Sequence, residues 1–116
     1  MPRETNPNFM AGVPELMILR LLQQRAMYGY ELVQAIRLQT GDVVSLGEGA
    51  VYTVLHALER EAALSSRRKT VEGRSRIYYS LTARGLRRYR DLADTWTMLA
   101  GAIQSVIGRA GDASAT

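Results

Sequence analysis

Two β-prone runs, LSSRRKTV and RIYYSLT, flank Glu72-Gly73-Arg74-Ser75, and this hairpin signal limits the possible folds more than any other feature of the chain. Ile77, Tyr79 and Leu81 alternate with Tyr78 and Ser80, as a half-buried strand requires. What precedes the hairpin is helical. In PELMILRLLQQ a proline suited to a first turn leads a broad apolar band of Leu16, Met17, Leu19, Leu21 and Leu22. Met27-Tyr28-Gly29 breaks this first helix, and YELVQAIRLQT follows with Tyr30, Leu32, Val33, Ile36 and Leu38 at helical spacing, ending before Gly41 and Asp42. Val43-Val44 is read as a short strand. AVYTVLHALERE then forms a third helix on the apolar face Val51, Val54, Leu55 and Leu58. Its opposite face carries Glu48, Ala50, Tyr52, Thr53, His56 and Arg60, small or polar residues able to face a partner.

After the hairpin, Thr82 is a good N-cap for a helix over 83–108, roughly 39 Å long at 1.5 Å per residue. Along it Gly85, Tyr89, Leu92, Trp96, Leu99, Ile103 and Val106 are spaced 4, 3, 4, 3, 4, 3. A sustained heptad seam of this kind predicts pairing with another helix. Tyr89, Leu92, Trp96, Leu99, Ile103 and Val106 are therefore the expected homodimer interface. Residues 1–12 are read as a flexible arm, 13–82 as one domain, 83–108 as a dimerisation helix and 109–116 as a disordered tail.

The formal charge of +4 is unevenly placed. Residues 67–90 hold nine basic groups against Glu72 alone, a balance of +8, and the rest of the chain carries −4. An acidic body with one basic segment is the pattern of a chain that docks a polyanion through a defined surface. Fourteen of the 15 basic residues are arginine, whose planar fork binds phosphate or guanine through two hydrogen bonds. Other chemistry is poorly supplied. With no cysteine and a single histidine, thiol catalysis, disulfides and Cys/His zinc sites are excluded, and no acid/base or nucleophile grouping marks an enzyme. No metal or cofactor is expected. The first fifteen residues lack a signal-peptide pattern and no apolar stretch is long enough to span a bilayer, so a cytoplasmic location is expected.

Three helices followed by a basic two-stranded hairpin is the element order of a winged helix-turn-helix, so the expected fold is mainly α with a small β-hairpin and a long C-terminal helix. Double-stranded DNA is the expected partner. Arg67, Arg68, Lys69, Arg74 and Arg76 flank Gly73, on a turn able to reach the phosphate backbone or minor groove. Gly49, Ala50, Tyr52, Thr53 and His56 would face the major groove from the third helix. Arg84, Arg87, Arg88 and Arg90 either touch phosphate or form surface ion pairs with Asp91 and Asp94.

Three stretches, in this order and spacing, resemble the PadR-like transcriptional regulators. They are LMILRLL followed by Tyr28-Gly29-Tyr30-Glu31-Leu32, then GAVYTVLHALE from Gly49 to Glu59, then GRSRIYYSLT from Gly73 to Thr82. The likeness spans about residues 13–107, and one long C-terminal helix makes the chain look like the short subfamily, in which that helix forms the dimer interface. The resemblance implies that Tyr52 is the recognition-helix tyrosine and Tyr30 the tyrosine opening helix two. It implies further that Gly73 and Arg74 form the wing tip, and that Arg76 and Tyr78 lie on the wing strand facing DNA. Thr53 stands where the family often has proline, and Ala62-Ala63-Leu64 where it has Gly-Leu-Ile. Trp96 lies where some members carry a ligand-contacting tryptophan, so Trp96 and Leu99 are candidates for holding a planar aromatic effector at the dimer interface. The function these features imply is a dimeric repressor of an inverted-repeat operator. A second reading keeps the fold but makes it a protein-interaction module, with the heptad helix as its partner surface.

Overall fold

The computed structural model describes residues 11–115 of the chain, with side chains described to residue 108. Four helices and a three-stranded antiparallel sheet follow in the order α1 (Val13–Gln24), β1 (Met27–Tyr28), α2 (Gly29–Gln39), α3 (Glu48–Arg60), β2 (Leu64–Val71), β3 (Arg74–Leu81) and α4 (Ala83–Ala115). The first ten residues of the expected N-terminal arm lie outside the described residues.

The helices form where the apolar spacing places them, and their inward faces merge into one core. Ile18, Leu19, Leu32, Ile36, Val51, Leu55 and Leu58 are fully buried, and Met27, Leu64 and Tyr79 close the core from the sheet. Burial pushes the Tyr79 phenol up from its ordinary pKa, with the neighbouring Glu59 and Tyr52 adding to the effect. Leu38, expected on the inner face of α2, is instead 78% exposed, because it lies two residues, about 200°, round the helix from buried Ile36.

Two local expectations are corrected. Val43-Val44 is not a strand: the segment bends and is held by Thr40, whose Oγ1 accepts from the Val44 amide at 3.1 Å and donates to the Ile36 carbonyl at 2.7 Å. Met27-Tyr28, expected only to interrupt the helices, is itself a strand. It pairs with Tyr79 and Tyr78, so β3 is central and the sheet runs β1-β3-β2.

The hairpin closes at Glu72 and Gly73 with φ of 52° and 77°. Positive φ at both central residues is the two-residue turn whose twist matches that of the flanking strands. Another left-handed residue sits between α3 and β2, where Ala62 has φ of 62°. An alanine there carries a strain of roughly 1 kcal/mol that glycine avoids. Ala62→Gly is accordingly expected to raise the thermal midpoint by a few degrees in a calorimetric scan.

Thr82 caps α4 as expected, its Oγ1 accepting from the Gly85 amide at 3.0 Å. The same hydroxyl donates to the carbonyls of Ala62 and Ala63 at 2.7 and 2.9 Å, which fastens the start of α4 to the α3–β2 turn. The helix runs to Ala115, past Gly108 and through the stretch expected to be a disordered tail. That stretch, RAGDASA, holds three alanines and no proline, so nothing in it forces the helix to stop. The heptad seam divides along the helix. Gly85 is buried against the Ala63 carbonyl, and Tyr89 and Leu92, expected in a dimer interface, pack against the chain's own core. Beyond Trp96, which still borders α1 and α2, the seam leaves the body, and Trp96, Leu99, Ile103 and Val106 are 52–75% exposed.

Candidate nucleic-acid interface

The outward face of α3 is built of small and polar groups because its apolar residues are consumed by the core. Glu48, Gly49, Ala50, Thr53, His56 and Arg60 are exposed, whereas Val51, Leu55 and Leu58 are buried. Gly49 and Ala50 offer little side chain at the start of the helix, so its backbone can approach a surface closely. Thr53 donates its hydroxyl to the Gly49 carbonyl at 2.9 Å, leaving its methyl as the outward feature.

Tyr52 is half-buried, and its ring lies directly over Gly29 at the start of α2. A β-carbon at Gly29 would stand 2.4 Å from the Tyr52 ring and 2.5 Å from its hydroxyl oxygen. The tyrosine therefore has its seat only because α2 begins with glycine. Its ring centroid is 5.9 Å from that of His56, one helical turn on. Tyr30 is about half exposed, and its hydroxyl accepts from Gln34 Nε2 at 2.7 Å. The Gly29→Ala variant is expected to keep most of its stability, since alanine suits a helix and the ring can swing away. It should lose roughly tenfold in affinity for a specific duplex over a random one in an anisotropy titration, because Tyr52 is displaced.

The register of the wing sorts its cations. Arg67 faces Tyr78, Lys69 faces Arg76 and Val71 faces Arg74, and directly opposed residues share a face of the sheet. Arg67, Lys69, Arg74, Arg76 and Tyr78 thus stand on one face. Arg68 belongs to the other, where it is opposed to Ile77 and donates to Ser75 Oγ at 3.0 Å. Rings and cations are interleaved at the base of the wing: the Arg76 guanidinium is 4.3 Å from the Tyr28 ring, Lys69 Nζ is 5.3 Å from the Tyr78 ring, and the two rings meet edge to face at 5.4 Å. Tyr28 in turn sits at the entry to α2, where its amide donates to Glu31 Oε1 at 3.2 Å and Arg25 holds the other carboxylate oxygen at 2.8 Å. The wing strand is tied in this way to the same helix start that seats Tyr52.

Tyr30, Tyr52, Arg68, Arg74 and Arg76 converge on one groove between the wing and α2–α3, of about 430 Å³. Arg67, Lys69 and Tyr78 line a separate hollow with Arg25 and Glu31. Arg74 and Arg76 thus share a sheet face with Arg67 and Lys69 yet line the groove that Arg68 lines from the other face. Gly73 marks the exposed tip of the wing. Arg67 and Arg74 are exposed and have no ion pair among the described residues, which leaves their full charge for a partner.

Of the α4 arginines, Arg88 alone makes an ion pair among the described residues. Arg88 does not pair with Asp91 or Asp94 but with Glu15 and Glu61, at 2.8 and 2.7 Å. The sequence reading did not identify Tyr28, Gly29 or Arg88 as organising residues. Tyr28 and Gly29 stand beside Tyr30 in the motif, a signal that was present, whereas the partners of Arg88 are 73 and 27 residues away and leave no local mark. Trp96 lines an apolar groove of about 390 Å³ with Leu16, Met17, Leu21, Ile36 and Tyr89, and Leu99 lies outside it. Among the described residues no helix is long and apolar enough to cross a membrane.

Comparison with known proteins agrees with this arrangement. The pattern of the transcriptional regulator PadR-like family matches residues 18–91, well over half of the chain. A transcriptional regulator from Clostridium thermocellum superimposes with a TM-score of 0.79 at 25% identity, covering 86% of this chain and 95% of its own. A PadR-like transcriptional regulator from Bacillus cereus does so with a TM-score of 0.76 at 26% identity, covering 86% and 96%. An uncharacterized protein from Lysinibacillus sphaericus is 30% identical over 86 residues, which are 73% of this chain and 79% of that one. With the winged helix, the basic hairpin and the long C-terminal helix all in place, the chain belongs to the PadR-like family of transcriptional regulators, DNA-binding regulators rather than enzymes.

Proposed function

We propose that the protein is a dimeric repressor whose two α3 helices and wings each read one half of an inverted repeat. The observation that carries this reading is the division of the α4 seam. Its first turns are consumed within the chain, while Trp96, partly covered by the groove it lines, and Leu99, Ile103 and Val106 beyond it continue the same heptad stripe at 52–75% exposure. A stripe of that length on a projecting helix supports pairing with the same stripe of a second copy. Two-fold symmetry then sets two reading heads on one face of a duplex, about 34 Å or a multiple apart.

Regulation follows if a planar aromatic molecule bound beside Trp96 prefers a separation of the heads that cannot span both half-sites. Only a difference in affinity between the two arrangements shifts the balance. The groove beneath Trp96 supplies apolar walls for such a molecule, and the half-exposed indole supplies a stacking face.

Trp96→Ala separates the roles of this residue. Sedimentation is expected to show self-association weakened at least tenfold, since the largest side chain of the stripe is lost. A variant that remains dimeric but no longer quenches or shifts the fluorescence of planar dyes assigns Trp96 to the ligand instead. A monomeric wild-type chain at micromolar concentration would contradict the dimeric reading.

A further inference from the structure

Arg88 lies on α4 two turns beyond its cap, and its guanidinium spans two carboxylates from elements distant in sequence. Nη2 donates to Glu15 Oε1 at 2.8 Å and Nη1 to Glu61 Oε2 at 2.7 Å. Glu15 is in the first turn of α1, and Glu61 is the residue that ends α3, the helix that carries the recognition face. A carboxylate at the C-terminal end of a helix is opposed by the helix dipole, so Glu61 occupies a place that calls for a facing cation. A guanidinium fork can hold both carboxylates at once, whereas an ammonium is a single point charge.

The clamp complements what already holds α4. Thr82 and Gly85 fix the start of the helix on the Ala62–Ala63 turn and so define a pivot. Tyr89 and Leu92 hold the helix down through apolar contact, which has no preferred direction. Arg88 adds two directional bonds, one to each side. Side chains as exposed as Arg88, at 39%, contribute little net stability through ion pairs, so the consequence of the clamp lies in orientation. From Arg88 to Ile103 the helix extends ~22 Å, and a tilt of ~10° at the clamp moves Ile103 by ~4 Å, close to the ~3.4 Å rise of one base pair.

We propose that Arg88 is a positioning residue that fixes the angle between the long helix and the recognition helix, and thereby sets the half-site spacing that the dimer accepts. The proposal rests on the dimeric, two-half-site reading given above. Its test uses duplexes selected by the wild-type protein from a randomised pool, then resynthesised with one or two base pairs inserted between or removed from the half-sites. The wild-type protein should favour the selected spacing by at least tenfold. Arg88→Gln should reduce that preference by about fivefold or more while leaving affinity for an isolated half-site unchanged, and Arg88→Lys should fall between the two. Were Arg88→Gln not to fold, Glu61→Gln removes one arm at a half-exposed carboxylate and carries the same comparison. A variant that is less stable to heat yet keeps the full wild-type preference would overturn the proposal, since a merely structural ion pair behaves that way. Equal binding of every spacing by the wild-type protein would instead overturn the two-half-site reading, and the role of Arg88 with it.

Discussion

Replacing Arg74 and Arg76 together by alanine is expected to weaken operator binding by roughly two to four orders of magnitude, because hydrogen bonds to charged groups contribute roughly 1.5–3 kcal/mol each. The salt dependence is the sharper readout. Each phosphate contact on duplex DNA contributes about 0.9 to the slope of log K against log salt, so the double variant should lose about 1.8. Arg74 is exposed beside the wing tip and has no ion pair among the described residues, so its removal leaves the fold intact. Arg76 also covers the Tyr28 ring at 4.3 Å, so a thermal scan of the variant must accompany the titration. An unchanged salt slope in a folded double variant would remove the wing from the DNA interface.

Gly85→Ala is expected to destabilise the protein by about 2 kcal/mol, against the sign that helix propensity alone requires. Alanine within a helix is ordinarily favoured over glycine by about 1 kcal/mol. Here its β-carbon would stand 2.1 Å from the Ala63 carbonyl oxygen and 2.8 Å from Leu81 Cδ1. The carbonyl belongs to the backbone turn that also accepts from the Thr82 amide at 3.1 Å, so it cannot retreat without breaking the seat of α4. Overpacking of this kind costs about 1–3 kcal/mol and occasionally more. The thermal midpoint should fall by about 10 °C in a chain of this size. A midpoint equal to or above that of the wild-type protein would mean that α4 does not sit on the α3–β2 turn as described.

Much of the fold was legible in the sequence because it depends on local rules. Apolar spacing marks α1, α2 and α3, Glu72-Gly73 marks the hairpin, and Thr82 marks the start of α4, each through residues close together in the chain. The outward face of α3 was legible for the same reason, since it is the complement of Val51, Leu55 and Leu58. What escaped depends on contacts made at a distance. Two residues, Met27 and Tyr28, are too few to show a period, and they become a strand only because Tyr78 and Tyr79 offer an open edge. Val43 and Val44 have strand propensity, but both amides turn back to Thr40, to its carbonyl at 3.1 Å and its Oγ1 at 3.1 Å. Gly85, Tyr89 and Leu92 share the heptad spacing of Trp96 and Leu99, yet the first three meet the chain's own body, Trp96 does so along one side, and Leu99 lies outside that groove. Spacing alone cannot tell an internal partner from an external one.

The wing shows the same limit within the candidate site. Its basic character was plain from composition, but the assignment of Arg68 to one face and of Arg67, Lys69, Arg74 and Arg76 to the other follows from the pairing register, which no single strand reveals. The groove that brings Tyr30, Tyr52 and Arg76 together depends likewise on Gly29, a residue whose value lies in the absence of a side chain.

If α3 and the wing of each of two protomers read a symmetric duplex site, selection of bound duplexes from a randomised pool, followed by sequencing, reveals that symmetry. The expected result is an enriched inverted repeat with half-site centres about 10–10.5 base pairs, or a multiple, apart. Enrichment of a single unrepeated site, or of no sequence at all, would contradict the two-half-site reading.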